Sequence, residues 1–174
     1  MFRHYDFAMA TRENALAAFA GESQAHIRYS AFSEKAVEAH YPVIATLFKA
    51  IAEAEAIHAQ HFLAVLGEVR STKKNLEAGI HAKAQEAAVT YPAYLKIAHK
   101  EKKAEAWIVF SYSIKADEEH VALFSKALAA VTEGHDLTPS SVYLCPVCGS
   151  IAIGQPPSRC PVCSVFAKKF IRIL

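Results

Sequence analysis

The stretch PVIATLFKAIAEAEAIHAQHFLAVLG, residues 42–67, decides the fold. Its large apolar residues recur in alternating steps of four and three, the spacing that places side chains on one face of an α-helix. Pro42 suits the first turn of this helix, and Gly67 suits the position just past its end. Two polar residues, Glu55 and His58, interrupt the apolar face at mid-length. The stretch therefore predicts a long helix whose packing face carries a carboxylate and an imidazole.

Three further segments have the same helical character. Their predicted bounds are, in chain order, 11–39, 71–102 and 104–132. Thr11 is a suitable N-cap for the first, Ser71 or Thr72 for the third, and Gly134 ends the fourth. Pro92 lies inside the third, where its ring displaces one backbone hydrogen bond. Four long helices with short connections predict an all-α, antiparallel four-helix bundle. A long coiled coil fits less well, because the apolar faces are interrupted at mid-length.

The composition limits the class of protein. The 174 residues carry a net charge of +2, which gives no strong field for nucleic acid or a membrane surface. No apolar run approaches the roughly 20 residues that span a bilayer. The N-terminal sequence MFRHYDFAMATREN has charges where a signal peptide needs an apolar core. We therefore expect a cytoplasmic protein with no nucleic-acid or membrane partner.

Polar residues interrupt the apolar faces of all four helices near mid-length. They are Glu22 with Tyr29 on the first helix, Glu55 with His58 on the second, Lys83 with Glu86 on the third, and Asp117 with His120 on the fourth. In a bundle these residues would lie at one level. Buried carboxylates without a countercharge cost several kcal/mol each, so a cation is expected there. A Glu-x-x-His pair suits iron, manganese or zinc.

Single polar residues on these helices have a simpler interpretation. A lone glutamate at the edge of a helix face is usually solvated, and a lone core histidine is usually only hydrogen-bonded. Only the coincidence of four carboxylates and two histidines favours a metal site. Four neighbouring residues are expected at the surface instead, namely Glu53, His61, Glu118 and Glu119.

All four cysteines lie in the C-terminal segment, as two Cys-x-x-Cys pairs. They are Cys145, Cys148, Cys160 and Cys163. Four thiolates at this spacing predict a tetrahedral site for zinc or a single iron, whereas two disulfides fit a reducing cytosol poorly. Residues 143–174 also carry four basic side chains and no acidic one. The predicted organisation is a helical bundle over 1–134, a linker over 135–142 and a metal module over 143–174.

Several motifs together resemble the rubrerythrin family in order and spacing. They are AFAGESQAHIRY (18–29), EAIHAQHF (55–62), NLEAG (75–79) with TYPAYLKIA (90–98), and DEEHVALF (117–124). The resemblance implies a ferritin-like di-iron bundle followed by a rubredoxin-like module that holds iron. It further implies reduction of hydrogen peroxide, an electron-donor reductase or rubredoxin as partner, and a homodimer.

Carried over residue by residue, the resemblance implies bundle ligands and residues close to them. The matching ligands are Glu22, Glu55, His58, Glu86 and His120, with Asp117 in place of a glutamate. The candidate catalytic residues are Glu22, Glu55, His58, Glu86, Tyr29 and Lys83. Tyr29 and Tyr91 either hydrogen-bond the ligands or simply pack.

Lys83 departs from the family pattern, because it replaces the first glutamate of the pair on the third helix. An ammonium group cannot coordinate a metal while it is protonated. One hypothesis is that Lys83 stands in for a second metal ion and pairs with Asp117 or Glu86. The other is that Lys83 extends to solvent and a distorted site with two metals forms, with water as a ligand.

Three functions remain open from the sequence. The first is a peroxide-reducing iron enzyme with one or two bundle ions. The second is a non-enzymatic metal-binding or electron-transfer protein with a degenerate bundle site. The third places zinc at the cysteines and gives the module a purely structural role.

Overall fold

The computed structural model describes residues 9–138 and 140–173. Its chain divides after Arg70 into two compact units. The first unit contains the helices α1 (Met9–Glu38) and α2 (Pro42–Val65). The second contains helices and a small sheet. Its elements are α3 (Thr72–Gln85), a π-helical turn (Glu86–Thr90), α4 (Tyr91–Lys100), α5 (Ala104–Thr132), β1 (Val142–Leu144), β2 (Ile151–Ile153), a 3₁₀ turn (Ala167–Lys169) and β3 (Ile171–Ile173).

The first unit is an antiparallel helix pair held together by small residues. The Ser33 hydroxyl donates to the Ala45 carbonyl at 2.8 Å, and His26 Nδ1 donates to the Ala52 carbonyl at 2.8 Å. Ala45 and Ala52, with Ala59 one heptad on, are the buried residues of α2. Short side chains at this seven-residue interval let the two backbones approach closely. The larger apolar residues of the predicted α2 face are less buried than these alanines, since Ile44 and Ile51 are 47% and 37% exposed.

The helix ends follow the predicted capping residues, with one exception. The Ser71 hydroxyl accepts a hydrogen bond from the Lys74 N–H at 3.4 Å and caps α3. Gly67 and Gly134, just beyond α2 and α5, have φ values of +67° and +82°, which glycine adopts without steric cost. Thr11 was predicted to cap the first helix, but it lies inside α1. The tenth residue, an alanine, and Met9 are already helical, so the predicted cap was wrong.

The predicted third helix is a continuous helical segment with a change of hydrogen-bond pattern. The π-turn lies directly before α4, and Pro92 is in the first turn of α4. A wider turn at this point accommodates the backbone carbonyl that proline leaves without its usual donor. The interruption predicted at Pro92 is therefore present, and it begins at Glu86.

The helices of the second unit also form an antiparallel arrangement, with α3 and α4 running against α5. Gly79 on α3 lies against Phe124 on α5, where a Cβ atom would be 3.0 Å from the ring. Tyr91 and Tyr94 contact Phe110 near the other end, with ring centroids 6.1 and 5.6 Å apart. These contacts fix the level at which α3 and α5 present their polar residues.

The C-terminal module is a three-stranded antiparallel sheet in the order β2-β1-β3. Its core consists of Cys145, Cys160 and Val162, against which Phe170 and, from α5, Tyr112 pack. So small a core buries little apolar surface, and a bound metal would supply much of the folding free energy.

Among the helices that the structure describes, none is both long enough and apolar enough to cross a membrane.

Candidate metal centres

The four cysteines form one compact cluster. The Sγ atoms of Cys145 and Cys163 are 3.6 Å apart, and those of Cys148 and Cys160 are 3.5 Å apart. A disulfide would need about 2.05 Å, whereas thiolates on one tetrahedral ion at about 2.3 Å lie roughly 3.8 Å apart. All four sulfurs lie within 4.8 Å of one another. The residues therefore fit a four-thiolate metal site.

The two Cys-x-x-Cys turns have matching backbone hydrogen bonds. The N–H of Cys145 donates to the Ser150 carbonyl at 2.8 Å, and the N–H of Cys160 donates to the Val165 carbonyl at 2.8 Å. After each turn comes a residue with positive φ, Gly149 in the first and Ser164 (φ 63°) in the second. A serine there is strained, because a Cβ crowds the backbone in this conformation.

Backbone N–H groups also donate hydrogen bonds to the cysteine sulfurs, and these bonds act to lower the pKa values of the thiols. Burial disfavours the Cys160 thiolate, but hydrogen bonds from the N–H groups of Cys163 and Val162 lower its pKa to about 7. Burial raises the pKa of Cys148, whose sulfur accepts a hydrogen bond from Ser150. A metal ion bound by the four sulfurs would displace the thiol protons.

A second cluster lies within the α1–α2 pair. His58 Nδ1 is 3.6 Å from Glu55 Oε2 and 4.0 Å from Glu22 Oε2. The three ligand atoms lie within 4.8 Å of one another. Ligands on one ion at roughly 2.1 Å are separated by up to about 4.2 Å, so small side-chain adjustments would close this triad on a metal.

The charge in this triad is not balanced. Hydrogen bonding to Glu55 raises the pKa of Glu22, and burial and the Glu55 charge act in the same direction. The His58 side chain, 54% exposed in this unit, opposes the shift only weakly. A carboxylate whose pKa is raised by a neighbouring carboxylate is typical of a site that a cation would stabilise.

A third cluster joins α3, the π-turn and α5. Lys83 Nζ lies 2.6 Å from Glu86 Oε2 and 3.3 Å from Asp117 Oδ1. Asp117 Oδ1 is also 3.4 Å from His120 Nδ1. The hydrogen bond from Lys83 lowers the pKa of Glu86, whereas burial raises the pKa of Asp117. The carboxylates of this cluster are therefore already paired with a cation, the ammonium group of Lys83.

His120 connects this cluster with the cysteine module. Its Nε2 donates to the Gly149 carbonyl at 3.0 Å. A carbonyl can only accept, so Nε2 carries a proton and Nδ1 faces Asp117. Backbone carbonyls often orient the histidines of metal sites in this way. Sequence reasoning missed the contact, because no side-chain pattern marks a backbone carbonyl 29 residues away.

The two predicted tyrosines lie in aromatic clusters. Tyr29 contacts Phe32 and Phe48, with centroids 6.0 and 6.4 Å apart. Tyr91 stacks on Phe110, and burial, followed by the charges of Glu86 and Asp117, raises its pKa. Both side chains therefore pack. Tyr91 also lies within electrostatic range of the Lys83 cluster.

Three of the four residues expected at the surface are exposed, namely Glu53, His61 and Glu118. Glu119 is different, because it is half-buried, and its Oε2 is fully buried with no hydrogen-bond partner among the described residues. The prediction of a solvated Glu119 was therefore wrong. Its place on the helix could be read from the sequence, but the packing of that helix face could not.

Comparison with known proteins identifies the family. A rubrerythrin family model matches residues 13–128. Rubrerythrin-2 of Clostridium acetobutylicum is 36% identical over 167 residues, which cover 88% of this chain and 91% of that protein. Nigerythrin of Nitratidesulfovibrio vulgaris is 33% identical over 168 residues, covering 88% and 82%. A solved structure of partially reduced nigerythrin has a TM-score of 0.57 and 30% identity, and covers 99% of this chain and 92% of that one.

The matches extend over both the helices and the cysteine module. They confirm the predicted fold class, a ferritin-like helical domain with a small C-terminal rubredoxin-like module. The chain therefore belongs to the rubrerythrin family of iron-binding proteins.

Proposed function

We propose that this protein is a non-haem iron oxidoreductase that reduces hydrogen peroxide to water with electrons that enter at the cysteine site. The observation that supports it best is the 3.0 Å hydrogen bond from His120 Nε2 to the Gly149 carbonyl. This bond joins the turn that follows Cys148 to the polar cluster on α5. The reaction consumes two electrons and two protons for each peroxide and releases two water molecules.

The proposed iron ligands follow from the clusters. Cys145, Cys148, Cys160 and Cys163 hold one iron, and Glu22, Glu55 and His58 hold another. Iron at these sites would supply the one-electron chemistry that no side chain here provides. Glu86, Asp117 and His120 are the remaining predicted ligands, and Lys83 already pairs with the first two of them.

His120 has a role that needs no metal of its own. The Nε2 of its ring donates to the Gly149 carbonyl at 3.0 Å, and the Nδ1 lies 3.4 Å from Asp117 Oδ1. A path of covalent and hydrogen bonds carries electrons better than a gap of the same length. We therefore assign His120 as the link between the cysteine module and α5.

The test is anaerobic reduction of the iron-loaded protein followed by rapid mixing with hydrogen peroxide. The return of the visible absorption of oxidised cysteine-bound iron is followed over time. We expect fast reoxidation, with water and not oxygen as product. His120→Ala should slow this phase by about 10-fold or more while the spectrum of the cysteine site is unchanged. The matched control is His61→Ala, because His61 is exposed on α2 and should have no effect.

Lys83 favours a second candidate function. If its charge disables part of the bundle site, the protein carries electrons or binds metal without turning over peroxide. With both metal sites loaded, the reduced protein would then be reoxidised no faster by peroxide than after mixing with peroxide-free buffer. That result would support this candidate and reject the peroxidase function.

The metal at the cysteines, the electron donor, the assembly and the compartment complete the proposal. Iron at the cysteines would colour the protein, whereas a colourless zinc protein would leave the module a structural role. A rubredoxin or reductase with an acidic surface suits the four basic residues of the module, and its reduction rate should fall as salt rises. We propose a homodimer in the cytoplasm, where the four free thiols would stay reduced until metal binds.

A further inference from the structure

The cluster around Lys83 has the composition of a metal site but already contains a cation. The ammonium lies at 2.6 Å from Glu86 Oε2 and 3.3 Å from Asp117 Oδ1. Asp117 is only 7% exposed, so its charge is largely removed from water. Its second oxygen, Oδ2, is buried and has no hydrogen-bond partner in residues 9–138 and 140–173, so Asp117 depends on the charge beside Oδ1. Lys83 provides that charge.

The ammonium group is held in place. Its Nζ lies between two carboxylates, within 3.3 Å of an oxygen of each. Lys83 therefore stays protonated near neutral pH and has three donors and no lone pair to offer a metal. The side chain is 34% exposed, and its Nζ points to the carboxylates, which argues against a lysine that extends to solvent.

The spacing of the ligand atoms within this cluster differs from that within the two others. In the described residues, the groups that bring at least three ligand atoms within 4.8 Å of one another are the four cysteines and Glu22, Glu55 and His58. Glu86, Asp117 and His120 are not such a group. A divalent ion placed among them would also lie beside the positive charge of Lys83, which repels it.

We propose that the Lys83 ammonium is the permanent cation of the α3–α5 cluster and takes the place of a metal ion there. The chain then holds one metal on Glu22, Glu55 and His58 and one on the cysteines. This inference rests on the metal binding in the proposed function but not on peroxide reduction. The short side chain of Asp117 agrees with it, because its Oδ1 on α5 lies 3.3 Å from Lys83 Nζ on α3.

The test is to count metal ions in the full-length protein. Wild type and variants are reconstituted anaerobically with excess ferrous iron, desalted and analysed by mass spectrometry for iron per chain. We expect about two irons in the wild type, and about three in Lys83→Glu, which removes the ammonium and adds a carboxylate to Glu86, Asp117 and His120. Lys83→Met removes the charge without adding a ligand and should stay at about two.

The matched control is Lys74→Glu, because Lys74 pairs with Glu77 at 2.8 Å on the same helix and lies about two and a half helical turns before Lys83. It should leave the count at the wild-type value. If Lys83→Glu loses its helical circular dichroism, Lys83→Gln replaces it, with a neutral oxygen donor and partial occupancy expected.

A wild-type count of about three would overturn the proposal. A folded Lys83→Glu or Lys83→Gln protein that stays at two would also overturn it, because Lys83 would then not be what excludes the ion. Peroxide turnover does not enter the count. Failure of the peroxidase proposal would therefore leave this result unchanged, and the reverse also holds.

Discussion

The α1–α2 pair and the α3–α5 arrangement carry ligand motifs of the same spacing, but their carboxylates have different neighbours. Glu55-x-x-His58 lies on α2 and Asp117-x-x-His120 on α5. The residue that faces the first motif is Glu22, a second carboxylate, and the hydrogen bond to Glu55 raises its pKa. Lys83 faces the second motif, and there the pKa of Glu86 is lowered instead.

On our proposal, a metal-binding motif does not by itself define a metal site. Two carboxylates and a histidine need a cation nearby, and either a metal ion or a lysine can supply it. On α1 and α2 the chain leaves the cation to be bound. On α3 and α5 the cation is covalently attached and cannot exchange.

The largest expected effect is the loss of iron binding when His58, but not His120, is removed. His58→Ala takes one ligand from the α1–α2 triad, and we expect iron affinity there to fall by roughly 100-fold or more, beyond the loss typical of an outer-shell change. His120→Ala should leave the number of bound irons unchanged. Equilibrium competition with a chelator measures both. Equal losses in the two variants would break the comparison.

The next effect is on the stability of the metal-free protein. Lys83→Met leaves Asp117 and Glu86 without a cation, and we expect the free energy of unfolding to fall by about 2 kcal/mol. The value is below the cost for a fully buried pair because the lysine side chain is 34% exposed. Methionine is about as good a helix former as lysine, so helix propensity contributes little. Urea unfolding followed by circular dichroism measures the change.

The control and the pH dependence sharpen this test. Lys74→Met breaks an exposed pair, with Lys74 58% exposed, and should cost no more than about 0.5 kcal/mol. Because the folded state lowers the pKa of Glu86, its contribution is present above the ordinary value of 4.5. It should be lost as the pH falls through the lowered value. A Lys83→Met effect that grows in acid would contradict the ion-pair account.

The smallest expected effect is on the free energy of unfolding when the packing of α3 against α5 is changed. The interface of α1 and α2 is formed by alanines, whereas Gly79 of α3 packs against the Phe124 ring of α5. A Cβ at Gly79 would lie 3.0 Å from the ring, so Gly79→Ala should destabilise by about 1 kcal/mol despite the better helix propensity of alanine. In a Phe124→Leu background the same change should become neutral or stabilising. If it stays unfavourable there, the ring is not the cause.

Much of the fold could be predicted from the sequence because its signals are local. Helical spacing, Gly67, Ser71 and the paired cysteines all act within a few residues, and each was found where predicted. The pairing of Lys83 with Asp117 could also be proposed, since a lysine on an apolar helix face needs an acid. The less predictable features depend on tertiary contacts. The alanine interface of α1 and α2, the buried Glu119 oxygen and the bond from His120 to the Gly149 carbonyl are of this kind.

The central claim is that the α1–α2 triad binds a metal and the Lys83 cluster does not. Anomalous X-ray scattering at the iron absorption edge, from crystals of wild-type protein loaded with excess iron, tests it most directly. We expect strong peaks among the four cysteines and among Glu22, Glu55 and His58, with none between Asp117 and His120. A well-occupied peak beside Asp117 and His120, with the Lys83 side chain displaced, would contradict the claim.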